Sequence, residues 1–341
     1  MSQKSFVLSL RLGNLAAIAV MIILITPAEA QTRSVVKTSS PTKAWVPTRT
    51  PDGQPDLQGV WTNATLTPFE RPPELAGKVT ITEEEAAAIE KRASENRVDR
   101  PPRPGDTGNY NQVFFDGGTT WLSTRQSSLV VGPPDGRVPV KASAGAQREY
   151  DLAHVADSYE YQTSWERCIT RGFPAGMFPA GYDNAYQIVQ TPGYVVILSE
   201  MIHEARIIPV YGRPHLPQSI QQWNGDSIGH WDGDTLVVDT SNFNGKGNIA
   251  TSAATGRIRG IHESEALHVV ERFKRVDANT INYEVRIDDS NVYSAPWTVS
   301  MPLTKDANYR IYEYACHEGN YAMEDILRGG RVKEKTTAAA K

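Results

Sequence analysis

From residue 185 onward the chain is a succession of short β-prone runs separated by turn residues. Residues 186–190 and 194–209 are rich in Val, Ile and Tyr and flank Pro192-Gly193. Residues 267–276 and 280–288 flank Asp277-Ala278-Asn279, a loop of hairpin length. Residues 296–303 and 309–316 read as a further pair. Parallel strands need long crossovers, usually helical, and no such alternation is present. The pattern therefore predicts antiparallel pairing. About eight strands after residue 185 suffice for a closed sheet, so the expected fold is mainly all-β, an antiparallel barrel with a few peripheral helices. Upstream, Asp56 to Trp61 reads as a first strand, and 127–131 as a short one stopped by Pro133-Pro134-Asp135-Gly136. Helices are expected near 82–97, where Thr82 and Glu85 fit a capping box, at 143–158 and at 321–328. Residues 56–330 thus form one β-rich domain with a helical insertion near 82–97. An extended polar leader (31–55) precedes it and a flexible tail (331–341) follows.

The first 30 residues have the layout of a secretory signal. Lys4 and Arg11 precede an apolar run of 11 residues at 15–25, and Ala28-Glu29-Ala30 fits a small-residue cleavage site. Cleavage after Ala30 would release the chain to the periplasm or the medium; a retained N-terminal anchor is the alternative. No later run is long and apolar enough to span a bilayer, so no membrane contact is expected after cleavage. The chain has two cysteines, Cys168 and Cys316. In an oxidising compartment an isolated pair most simply forms one disulfide, with a reactive thiol as the rival reading. The formal net charge is −4 and no long Lys/Arg run occurs, which argues against nucleic acid as a partner.

"GDSIGHWDGDTLVVDT" (225–240) contains a G-x-S-x-G pattern around Ser227. A nucleophile elbow needs a strand before the serine and a helix after it. Here Asp232-Gly233 sits between β-prone flanks, a hairpin signal, and the helix is missing. Gly-Asp-Ser is also similar to the opening of the GDSL esterase motif, but Asp151-Leu-Ala-His154 precedes the serine, the wrong order for that family. Gly245-Lys-Gly247 lacks the rest of a dinucleotide loop. The Gly-rich stretch 244–260 reads as a lid or binding loop, or as plain disorder.

The seven histidines include three His-Glu pairs, at 203–204, 262–263 and 317–318, and none extends to H-E-x-x-H. Any acid–base or metal site must be assembled from separate strands, which a barrel permits because inward side chains converge. On a single strand over 194–209, His203 shares a face with Val195, Ile197, Ser199 and Met201, while Glu204 and Arg206 share the other. On the later strand His268 and Arg272 share one face, and Val269, Glu271 and Phe273 the other. The expected catalytic set is His203 and His268, with Glu204, Glu265 or Glu271 as the acidic partner and Arg206 or Arg213 as an anion clamp. His215, His230, Trp223, Trp231, His262 and Glu265 are candidate substrate-binding residues. If a divalent metal (zinc, iron or manganese) is bound, His203, His262 and His268 are the candidate ligands.

Several stretches resemble a family of exported proteins of soil and aquatic Gram-negative bacteria. They are "PDLQGVW" (55–61), "SSLVVGPPDGRVP" (127–139), "ERCITRGFP" (166–174), "QIVQTPGYVVILSEMIHEARIIP" (187–209), "GRPHLP" (212–217), "GHWDGDTLVVDTSNFN" (229–244), "LHVVERF" (267–273) and "YEYACHEGNY" (312–321). The resemblance implies that 50–330 is one unit and carries over no catalytic residue. The segment 248–259 departs from it, being longer and richer in Gly, Ala and Thr. Gly59-Val-Trp61 is also similar to the G-x-W of lipocalins, whose tryptophan plugs the barrel base. That implies a calycin-like barrel around a small ligand.

Two functions follow as expectations. The first is an exported enzyme, a hydrolase, lyase or isomerase, acting on a small or oligomeric organic substrate by histidine/carboxylate acid–base or metal-assisted chemistry. The second is a non-catalytic periplasmic protein of lipocalin type, binding a small carbohydrate or aromatic ligand against its aromatic residues.

Overall fold

The computed structural model describes residues 45–99, 101, 114–306 and 308–339. The expected signal and most of the expected leader lie outside the described residues. The domain is built from ten strands: β1 (Gly59–Thr62), β2 (Val130–Gly132), β3 (Ala185–Thr191), β4 (Tyr194–Ser199), β5 (Ala205–Pro209), β6 (Asp226–Asp232), β7 (Thr235–Ser241), β8 (His268–Arg275), β9 (Thr280–Asp288) and β10 (Trp297–Lys305). Among the described residues three α-helices lie outside the sheet: α1 (Glu83–Asn96), α2 (Ala142–Ala153) and α3 (Ala322–Ala339). Thr82 and Glu85 close the expected capping box on α1.

Strands β8, β9 and β10 alternate buried and more exposed residues, as a half-buried sheet requires. On β8, Val269, Glu271 and Phe273 are buried; on β9, Ile281, Tyr283, Val285 and Ile287 are. All of these but Glu271, with Trp61, Ile188, Val195, Ile197, Leu236, Val238, Trp297 and Leu303, form one continuous hydrophobic core. Trp61 of the Gly-x-Trp stretch is fully buried, and its indole N–H donates to Leu57 O at 2.9 Å. The Arg275 guanidinium lies 5.5 Å from its ring centroid.

The sheet order is β5-β4-β3-β1-β10-β9-β8-β7-β6, with β2 joined to β10. Read around the ring, this is an up-and-down meander of nine strands that nearly closes. Every ladder is antiparallel. An odd number of alternating strands leaves the two ends, β5 and β6, running in the same direction. They cannot form the antiparallel ladder that joins every other neighbouring pair, and a connection over 210–225 carries the chain from one to the other. No ladder joins them. The seam is held by side chains instead. At Gly229 an added Cβ would come within 2.9 Å of Val210 Cγ1 and 3.0 Å of Ile208 Cγ2. A glycine is needed there for the two strands to approach.

Three expectations need correction. Residues 194–209 are two strands, because the chain turns over Met201–His203 with Ile202 and His203 at φ 63° and 43°. Residues 309–316 form no strand; they run as an irregular segment whose anchor is Glu200, which accepts from the Tyr309 hydroxyl and the Tyr312 N–H. The expected flexible tail is helical through Ala339. The 225–240 hairpin is present, but the two central residues of its turn are Gly233 and Asp234, with Gly233 at φ 58°. Positive φ at the first central residue alone is the type II′ pattern.

Cys168 and Cys316 form a disulfide across a sequence separation of 148. It fastens the irregular C-terminal segment to the loop before β3. For so long a loop the chain-entropy argument gives roughly 5 kcal/mol of stabilisation. Among the described residues no helix is long and apolar enough to cross a membrane.

Gly229→Leu should force the seam open and cost about 1–3 kcal/mol, read as a lower urea midpoint. An unchanged midpoint would show that the seam is not closed at this point.

Candidate functional site

Below Gly229 the seam widens into a cleft of about 620 Å³, within the size range of small-molecule sites. One wall is Ala205, Arg206 and Ile207 of β5; the other is Asp226 and Ser227 of β6 with residues 221–225 of the connection. Phe173, Met177, Ile197 and Ser199 complete it. Gly225 allows the entry into β6, since it stands at φ 67° and an added Cβ would lie 2.5 Å from Ser241 O.

Arg206 points inward from β5 to Glu271 on β8, across the barrel interior. Its Nη2 lies 2.8 Å from Glu271 Oε2 and 3.0 Å from Oε1, and the Tyr283 hydroxyl donates to Oε1 at 3.0 Å. The guanidinium carbon sits 4.1 Å from the centroid of the Phe173 ring, a cation–π contact. Glu271 is fully buried. Burial pushes its carboxyl above the usual range, against the pull of Arg206 and the Tyr283 hydrogen bond. Arg206 Nη1 and Ser199 Oγ are both buried at the cleft without a hydrogen-bond partner. Buried donors without partners are costly and therefore uncommon.

Glu204 lines the same cleft. Its carboxylate accepts from Thr170 Oγ1, 2.9 and 2.7 Å from its two oxygens, and from Asn224 Nδ2. Arg171 also lines the cleft; it is buried, stacks on Trp165 and donates to Thr251 Oγ1. Burial lowers the Arg171 pKa to about 10.

The structure thus brings together Glu204, Arg206, Glu271 and Trp223 from the expected set, but not the histidines. The inward face of β8 is the Glu271 face, so His268 points outward. There it meets Asp239 at 2.9 Å; the other Asp239 oxygen is 2.9 Å from His215 Nε2, and His215 Nδ1 is 3.1 Å from Asp226. Arg213 grips Asp226 with two nitrogens, so it is not available as an anion clamp in the cleft. Burial raises Asp239, but the hydrogen bonds from His268 and His215 outweigh it and its pKa is lowered. His203 is exposed beyond the end of β4, with Nδ1 2.9 Å from Tyr314 O. The expected common face for His203 and Val195 is lost at the turn over 201–203.

His262 lies in a separate cleft of about 320 Å³, its Nε2 2.6 Å from Asp151. His230 is exposed on the outer side of β6, Trp231 packs on the core, and Glu265 is exposed in the loop before β8. His203, His262 and His268 are therefore not a ligand set. Among the described residues no group of three or more His, Cys, Asp or Glu is placed to hold a metal ion. Ser227 is buried on β6 and hydrogen-bonds Thr240 Oγ1 at 2.9 Å, with a strand rather than a helix after it. It is not at an elbow.

Sequence reasoning missed Thr170, Phe173, Ser199 and Asn224. Thr170 and Phe173 stand in the "ERCITRGFP" stretch, whose concentration of turn residues and Arg beside apolar residues was the one available signal.

Fold and site define the class: a nearly closed up-and-down β-barrel with a polar, partly aromatic cleft at an unladdered seam. Comparison with family models, curated proteins and solved structures finds no match to this chain.

Two measurements test the electrostatics. Arg206→Met leaves Glu271 buried and unpaired, which should cost about 3–5 kcal/mol at neutral pH. The loss should shrink in acid, where Glu271 takes up a proton. Urea unfolding at pH 7 and pH 5 checks both; an equal loss at the two pH values would mean that the pair is not the cause. The hydrogen bond to Asp239 raises the His268 pKa. That pair stabilises fully below the unfolded histidine value of about 6.5 and loses its contribution as pH rises through the higher folded value. His268→Gln should therefore lower the Tm at pH 6 and leave it unchanged at pH 9.

Proposed function

We propose that the protein is exported and is an acid–base enzyme acting on a small carbonyl-bearing substrate in the seam cleft. The N-terminal signal pattern, the Cys168–Cys316 disulfide and the lack of a membrane-length helix among the described residues support export to the periplasm or the medium. The observation that carries the catalytic reading is the lining of one cleft by Glu204, Arg206 and Ser199. Glu204 is a carboxylate held in place by Thr170 and Asn224. Arg206 Nη1 is a donor without a partner, fixed because Nη2 is spent on Glu271. A substrate oxygen accepting from Arg206 Nη1 and Ser199 Oγ would carry the charge that develops when Glu204 removes a proton from the adjacent carbon. Phe173, Met177 and Trp223 would cover the apolar body. This is isomerase or lyase chemistry, and it routes no step through a histidine.

The placement of all the candidate histidines outside this cleft favours a second reading, a non-catalytic carrier of the same ligand. One experiment separates the two. The protein is incubated in D₂O with a panel of small oxo acids, and loss of the C–H signal is followed by proton NMR, with binding measured alongside. Exchange of at least one compound is expected, slowed about 100-fold or more in Glu204→Gln with binding retained. Exchange unaffected by the substitution would remove Glu204 from the reaction; binding without exchange would establish the carrier.

A further inference from the structure

A second pocket, of about 220 Å³, is walled by Phe114, Phe115, Tyr182, Asp183 and Tyr314. It shares no residue with the seam cleft. Four of its five lining residues are aromatic. Phe115 and Tyr182 meet edge to face, with centroids 6.5 Å apart, and Tyr182 and Tyr314 lie nearly parallel at 6.3 Å. The fifth is a carboxylate. Among the described residues Asp183 has no hydrogen-bond or ion-pair partner, and no cation offsets its charge. Burial pushes it up to about 6, and the nearby Glu200 and Asp116 add repulsion. Around this trio stand Arg97, which donates to Phe115 O, and Asp306 on the Asp116 side, and Tyr309 and Tyr186 on the Glu200 side; the buried Arg171 stands behind Tyr182 and Tyr314.

The loop and Tyr314 are both tied down by named contacts. Asn184 bonds Ala180 through both its N–H and its carbonyl, and donates to Asp116 O at 2.7 Å. This fixes the loop that presents Asp183 at φ 53°. Tyr314 is fastened by the disulfide two residues on and by the contact of its carbonyl with His203. A carboxylate fixed among aromatic faces, with two more acids behind it, has excess negative potential and walls that do not hydrate a cation. Small metal ions need several oxygen ligands, and no group suited to one is present among the described residues. A weakly hydrated organic cation is the better match, because ring quadrupoles attract it while its methyl groups are buried.

We propose that this pocket is a binding site for a quaternary or methylated ammonium group, held by cation–π contact with Phe115, Tyr182 and Tyr314 and by the charge of Asp183. The test is isothermal titration with choline and with its neutral isostere 3,3-dimethylbutan-1-ol at pH 8, on the full exported chain and on Asp183→Asn, whose fold is checked by its melting curve. Choline should bind, the isostere at least 10-fold more weakly, and Asp183→Asn should weaken choline at least 10-fold. No choline binding by the unmodified protein, or equal binding of the isostere, overturns the proposal without reference to any variant. Unchanged choline affinity in a folded Asp183→Asn places the cation elsewhere and overturns it as well.

Discussion

Nine strands that alternate in direction cannot close on themselves with an antiparallel ladder. That parity constraint governs the rest of this molecule. Around most of the ring each strand satisfies its backbone groups against an antiparallel neighbour. At β5 and β6 the directions coincide, and closure falls to side-chain packing. Where the residue is Gly229, the strands meet; where the wall is Arg206 opposite Asp226 and Ser227, they part. The cleft is thus a consequence of strand count. The long connection that joins two strands of the same direction then supplies Trp223 and Asn224 to its rim.

The same geometry explains why a charge can sit inside an otherwise apolar barrel. A lone Glu271 in that interior would be prohibitively costly. Arg206 reaches it from the seam strand, while Tyr283 satisfies it from the neighbouring strand in the ladder. Buried ion pairs seldom add net stability, so this one is better understood as a device that fixes Arg206 and leaves Nη1 directed by geometry rather than by solvent. Arg213, Asp226, His215, Asp239 and His268 form a second polar chain, which reaches the cleft wall at the buried Asp226 and runs outward to His268.

The disulfide gives order to a region with little regular structure. Residues 309–320 form no strand, and they are tied down by Cys316, by the Glu200 contacts of Tyr309 and Tyr312, and by His203. This is how the turn after β4, which removes His203 from the barrel interior, comes to support an aromatic pocket.

Local signals in the chain were enough to determine the β class, the hairpins at 225–240 and 267–288, the capping box at Thr82 and the Cys168–Cys316 pair. Each depends on period-two alternation, on turn or cap residues adjacent in sequence, or on simple cysteine count. The faces of β8 were also legible, with Glu271 on one and His268 on the other. Which face looks inward was not, because alternation defines two faces and only closure of the barrel chooses between them. The break of 194–209 at Ile202 has no turn residue to mark it, and the apolar residues on either side continue the strand pattern. The meeting of Glu204 with Thr170 and Asn224, and of Arg206 with Glu271, joins residues 20 to 65 positions apart. Such contacts carry no short-range sequence signal. Tertiary structure alone decided them, because the parity of the ring set where the sheet would fail to close.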